Sequence, residues 1–202
     1  MNRKRYSMAA GAWSRATWIR WPLACGLLVS SVHVNAESTL PLPQAPAGSA
    51  FGQWGYTHDQ LAAMVPKPRP EDVASPEAIV KACHEALNGP KGPWNSDRFR
   101  SLYLPNAVLT DVTKGKHGEV IIGNRTLSQF IKDVKDVHDE SAWYENIEIL
   151  HVEKTMKNGG GIAMVYHHGI AGSTLTKPKE IGEGMAMVMY DGERWWIVTD
   201  AF

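Results

Sequence analysis

The chain has 202 residues and balances 21 Lys and Arg against 21 Asp and Glu, with eight histidines and two cysteines. All five charged residues among the first 36 are basic, so residues 37–202 are acidic by five charges, which argues against a nucleic-acid partner. Beyond residue 36 only Cys83 remains, which excludes an intramolecular disulfide.

Residues 1–36 read as a signal peptide. Arg3, Lys4, Arg5, Arg15 and Arg20 form a basic region, Pro22 to Val32 is a short apolar run, and Val34-Asn35-Ala36 offers small residues before a cleavage site. The run is too short to span a membrane as a helix, so the expectation is an exported protein, periplasmic or secreted, with no membrane span after cleavage. Residues 37–75 read as a Pro-rich leader. Pro41, Pro43, Pro46, Pro66, Pro68 and Pro70 forbid a continuous helix or central strand, leaving room for a short helix around Asp59 to Val65.

The domain is expected over 76–202. Ser75-Pro76-Glu77 supplies an N-cap, a proline in the first turn and an acidic residue, and Ile79, Ala82, Cys83, Ala86 and Leu87 fall on one helical face before Gly89-Pro90. Cys83 on that face reads as a buried small hydrophobe. A second short helix follows Ser96, turning Phe99, Leu102 and Tyr103 inward, and strands are expected at 106–113 and 119–122. Thr126 and Gln129 make a capping box for a third helix, whose apolar stripe is Leu127, Phe130, Ile131, Val134 and Val137.

Long strands then run over 142–154 and 161–169, joined across Asn158-Gly159-Gly160. The last segment places Asp191-Gly192 between two apolar runs, the signature of a two-residue hairpin between strands at 181–190 and 193–201. A two-residue loop pairs Val188 with Trp195, Ala186 with Ile197 and Glu183 with Asp200. Both faces of that hairpin are apolar, which predicts cover on both sides, by helices on one and a second subunit on the other.

Helices segregated to one face of an antiparallel sheet make an α+β layer architecture. Phe99-Arg-Ser-Leu-Tyr-Leu-Pro-Asn-Ala107, the capped third helix and Asp191-Gly-Glu-Arg-Trp-Trp-Ile197 resemble the nuclear transport factor 2-like (SnoaL-like) group over about 75–202. The resemblance implies a cone-shaped, curved antiparallel sheet with three helices packed on its concave face, an apolar pocket at the wide end, and homodimers through the outer sheet face. Some members are isomerases, dehydratases or cyclases; others have no known activity.

Two functions are compatible with these features. The first, favoured because the sequence shows no convincing inward-facing acid–base set, is an exported domain that binds a small apolar molecule or a partner without catalysis; the alternative is a cofactor-independent isomerase, dehydratase or cyclase. The pocket is expected to be lined by Tyr103, Met164, Tyr166, Trp195, Ile197 and Thr199. His167 and His168 point to opposite faces of one strand, so one of them faces the pocket, and the catalytic set is read as His168 with Asp111 and Tyr103. Glu183 and Asp200, opposite one another, form a second acid–base candidate. No metal-ligand spacing, phosphate loop or dinucleotide fingerprint occurs, so neither metal nor other cofactor is expected.

Overall fold

The computed structural model describes residues 55–174, 176 and 179–202. The expected signal peptide, and the leader as far as residue 54, lie outside the described residues. Helix α1 (His58–Met64) and a 3-10 turn at Pro70–Val73 precede α2 (Pro76–Ala86), the short α3 (Asp97–Arg100) and α4 (Leu127–Glu140). The strands are β1 (Tyr103–Lys114), β2 (Val120–Thr126), β3 (Tyr144–Lys157), β4 (Gly160–Gly172), β5 (Lys179–Tyr190) and β6 (Trp195–Ala201).

The helix signals act locally as expected. The Ser75 hydroxyl accepts the Ala78 N–H, and Thr126 and Gln129 close a reciprocal capping box on α4. Thr57 and Gln60 do the same for α1. The six strands form one curved sheet in the order β2-β1-β6-β5-β4-β3. It is antiparallel except where β1 runs parallel to β6, which corrects the all-antiparallel expectation. The fold is the α+β cone: α2 lies over β3, β4 and β6, while α4 covers β1 and β2. The space between is filled by Ile79, Phe99, Leu102, Tyr103, Val165, Val188, Trp195 and Ile197. Among the described residues no helix is long and apolar enough to cross a membrane.

The last hairpin departs from the two-residue turn. Tyr190 pairs with Trp195, so the loop is Asp191–Arg194, and Val188 pairs with Ile197. Asp191 is the reason: its Oδ1 accepts the N–H groups of both Glu193 and Arg194, its own N–H donates to the Arg194 carbonyl, and Gly192 takes φ 105°. A shift by two residues leaves the side chains up to Ile197 on their expected faces, so Trp195 and Ile197 point inward. The pairing then slips by one residue at Val198, bringing Thr199 opposite Met187 and Asp200 opposite Ala186. That bulge turns Thr199 out and Asp200 in.

Trp196, on the other face, is covered from within the chain rather than by a partner. The Arg194 guanidinium lies 3.5 Å from its ring centroid, and its indole N–H donates to Asp191 Oδ2 at 2.6 Å. Burial lowers the Arg194 pKa to about 10. Helix α1 joins this corner through His58, whose Nδ1 is 2.8 Å from Asp191 Oδ2 and whose Nε2 is 3.4 Å from Glu193.

The hydrogen bond to Asp191 raises the His58 pKa above its ordinary 6.5 against the opposing effect of burial. Burial pushes the Asp191 carboxyl up, but the N–H groups of Arg194 and Glu193, with His58 and Trp196, outweigh it and hold the pKa below 3.8. A raised histidine stabilises fully below its unfolded pKa and ceases to do so as pH rises through its folded value. Amide protection of α1, corrected for intrinsic exchange, is therefore expected to fall between about pH 6 and about pH 8.5, and to lose that dependence in His58→Ala. Equal protection at both pH values would remove His58 as the latch.

Candidate functional site

Adjacent positions near the end of α2 carry Cys83 and His84, both buried. The His84 ring is fixed by Glu145 at the start of β3, with Nδ1 2.7 Å from Oε2. The other oxygen of Glu145 accepts the Trp143 indole N–H at 2.8 Å. Asn88, just past α2, clamps the same point of β3, its amide donating to the Glu145 carbonyl and accepting the Glu145 N–H. With Nδ1 engaged, Nε2 of His84 is buried and has no partner.

His167 enters from β4. Ala163, Val165 and His167 point inward, whereas Met164, Tyr166 and His168 alternate to the outer face. Its ring stands edge-on to His84, with centroids 4.7 Å apart. It fits because residue 184 on the neighbouring strand is glycine: a Cβ there would lie 2.5 Å from His167 Cε1 and 2.9 Å from the Ala201 carbonyl oxygen. His167 is 2% exposed, and neither ring nitrogen has a hydrogen-bond partner among the described residues.

Asp200 completes the group from the bulged end of β6. Its Oδ2 lies 3.5 Å from the Tyr103 hydroxyl, and its unpartnered Oδ1 lies 3.7 Å from His167 Nε2, beyond hydrogen-bonding distance. The Tyr103 hydroxyl is also 2.8 Å from Cys83 Sγ. Burial, first, then neighbouring negative charge push the Cys83 thiol and the Tyr103 phenol well above their ordinary pKa values, so both are neutral hydrogen-bonding groups. For His84, burial works against charge, but the Glu145 hydrogen bond and the Asp200 and Glu145 charges outweigh it and raise the pKa.

A cleft of about 250 Å³ meets the edge of this group at His84 and Glu145 and is bordered as well by Lys81, Glu85, Asn146 and Ile147. A second, about 340 Å³, lies beside Trp94 and His138 on the far side of α2, where both His138 ring nitrogens meet backbone carbonyls. The approach to His84 is therefore polar, unlike the expected apolar pocket. Trp195 and Ile197 belong to the packed core.

The residues singled out in the sequence divide accordingly. Tyr103 and Asp200 lie in the cluster. His168, Met164, Tyr166 and Thr199 are on the outer face, Thr199 donating to the Val108 carbonyl. Glu183 is exposed, and on the β6 side Asp200 lies opposite Ala186 and not opposite Glu183. Asp111 sits farther along β1, ion-paired to Arg125 at 2.6 Å, and Arg125 also reaches Asp133 of α4 at 3.0 Å. His84 and Glu145 had no spacing signal, because the group is assembled from positions 84, 145, 167 and 200 on four elements.

No family model matches the chain, and no curated protein matches it. Solved structures similar to it include a nuclear transport factor 2-like family protein from Streptomyces avermitilis provisionally assigned as a dehydratase. That chain is 13% identical, with 64% of this chain and 93% of that one covered and a TM-score of 0.39. Another, from Shewanella frigidimarina and provisionally assigned as a ketosteroid isomerase, is 17% identical over 61% of this chain and 90% of that one, with a TM-score of 0.35. An uncharacterised protein with a cystatin-like fold from Caulobacter vibrioides is 14% identical over 62% of this chain and 83% of that one, with a TM-score of 0.35.

The space beside Gly184 gives a direct test of how tightly the cluster is set. Gly184→Ala is expected to displace the His167 ring and destabilise the fold by about 1–3 kcal/mol, because the clash includes backbone as well as side chain. Unchanged denaturant unfolding in that variant would show that the His167 position is not imposed by β5.

Proposed function

We propose that this chain is an exported member of the nuclear transport factor 2-like group that acts on a small, oxygen-bearing molecule by proton transfer at the His84–His167–Asp200 cluster. The reading takes the isomerase, dehydratase or cyclase class that the sequence offered as the alternative to binding without catalysis, and moves it to a largely different set of residues. The observation that carries it is the convergence of four buried polar atoms without partners among the described residues: His84 Nε2, both nitrogens of His167, and Asp200 Oδ1. Each such atom costs about 1–3 kcal/mol, a cost that a purely structural core avoids and a site built to meet a ligand retains.

The roles follow from geometry. A neutral His84 donates its Nδ1 proton to Glu145, which presents the Nε2 lone pair to the cluster as a base. Glu145, itself fixed by Trp143, orients the ring and stabilises the imidazolium formed when a proton is taken. Tyr103 and Cys83, held as neutral phenol and thiol, keep the wall beside Asp200 uncharged, with the Tyr103 hydroxyl facing the Asp200 carboxylate. Lys81 and Asn146 at the cleft favour a polar molecule over the apolar ligand expected from the sequence.

Export rests on the basic and apolar pattern of residues 1–36. A homodimer through the outer sheet face is supported by exposed Val108, Val112, Val120, Ile122, Ile162 and Met189 along that face.

The proton-transfer reading is tested by following deuterium incorporation from heavy water into the carbon-bound positions of a panel of small ketones and hydroxyketones by NMR. The protein is expected to accelerate exchange in at least one of them, and His84→Gln to reduce that acceleration by about 10²–10⁴-fold while keeping the fold. Exchange at the same rate in His84→Gln would remove His84 as the base, and no exchange across the panel would leave a binding site without turnover.

A further inference from the structure

We infer that His84, His167 and Asp200 form a binding site for one divalent transition-metal ion of the zinc class. The inference rests on the reading of this cluster as the functional site and deepens it by naming what the unpartnered atoms are there to hold; with the ion bound, the His84 Nε2 lone pair is committed to it, and His84 acts as a ligand instead of the base.

The geometry is that of donor atoms gathered about one point. One donor atom from each residue lies within 4.8 Å of the other two, and all three residues are buried. His167 Nε2 and Asp200 Oδ1 stand 3.7 Å apart, too far to hydrogen-bond to one another. With metal–ligand bonds of about 2.1 Å, two ligands of a tetrahedral ion are separated by about 3.4 Å, so the gap is close to the edge of a coordination shell. Both atoms lack any partner, as does His84 Nε2.

The supporting groups are those a metal site requires. The Nδ1 of His84 is held by the Glu145 carboxylate, and that carboxylate is held by the Trp143 indole, which fixes the tautomer that directs Nε2 toward the ion. The remaining oxygen of Asp200 faces the Tyr103 hydroxyl at 3.5 Å. Charge agrees as well. Two buried carboxylates, Glu145 and Asp200, are ion-paired within the described residues only to His84 and His167. A divalent cation offsets both charges while leaving the two imidazoles neutral, as ligation requires.

Two imidazole nitrogens and one carboxylate oxygen suit zinc, cobalt or ferrous iron, and not the all-oxygen shells of calcium or magnesium. Three protein ligands leave a coordination position open, and His84, one of the three, also borders the cleft lined by Lys81 and Asn146. An ion there supplies a Lewis acid for a substrate oxygen.

The test uses the whole chain, stripped with a chelator and titrated with Co²⁺ and Zn²⁺ as probes. Expected are one equivalent of Co²⁺ with the intense visible absorption of a low-symmetry site, its displacement by Zn²⁺, and a rise in thermal midpoint. His167→Asn and Asp200→Asn should each weaken binding more than about 10-fold, and Glu145→Gln about 10–100-fold, while His151→Ala, at an exposed histidine, should leave it unchanged. Binding that survives both His167→Asn and Asp200→Asn would overturn the assignment, as would a folded wild-type protein that takes up neither ion. The second outcome needs no variant to fold. Deuterium exchange separates this inference from the functional reading: exchange by a protein that binds no ion removes the metal and keeps proton transfer, whereas ion binding without exchange keeps the site and removes the reaction.

Discussion

The inner wall of a tightly packed cone has little tolerance for a carboxylate, and this one holds Asp200 because β6 gains a residue relative to β5. Up to Ile197 the strand alternates in register with β5, apolar side chains inward; after the slip at Val198, the next inward position falls on Asp200 instead of Thr199. A hairpin without that extra residue would put a hydroxyl at the wall and send the carboxylate to the opposite face. Every other feature of the cluster answers to this displacement. Tyr103 gains an acceptor, His167 gains a neighbour close enough to share a ligand, and the absence of a side chain at Gly184 gives its ring somewhere to lie.

Helix α2 supplies the link between that wall and the surface. Its buried stripe includes two successive residues of different character: Cys83 meets Tyr103 on β1, while His84 reaches Glu145 on β3 and borders the cleft. The helix thus both seals the cone and carries the cluster's contact with the outside. Asn88 secures the arrangement with a two-way backbone clamp on Glu145, so the imidazole–carboxylate pair is positioned from the backbones of two elements as well as by side-chain packing.

The secondary structure was legible because its causes are local. Caps at Ser75 and Thr126, the glycines between β3 and β4, and apolar periodicity place all the main elements near their observed positions. The final hairpin shows where local signals stop. Asp-Gly reads as a turn with glycine's conformational freedom at its centre, whereas Asp191 acts through its carboxylate, capping two N–H groups and lengthening the loop by two residues. A bulge has no residue signature at Val198, so the sequence pairs Asp200 with Glu183 instead of turning it inward. His167 and His168 are equivalent in any sequence reading, and only the facing glycine on β5 separates them. His84 carries no signal of its own because it sits beside an apolar helical stripe, and its partner Glu145 is 61 residues away.

The corner around Asp191 also orders events in the making of the molecule. His58 and Asp191 are 133 residues apart in the chain, and the Asp191 loop takes shape only when β5 and β6 pair. Closing so long a loop is entropically unfavourable until the intervening sheet has brought its ends together. Helix α1 therefore has no docking surface until the rest of the domain is in place. A chain that emerges amino-terminal end first holds this short helix in waiting throughout its folding, and the docking of α1 becomes a record that the final hairpin has formed.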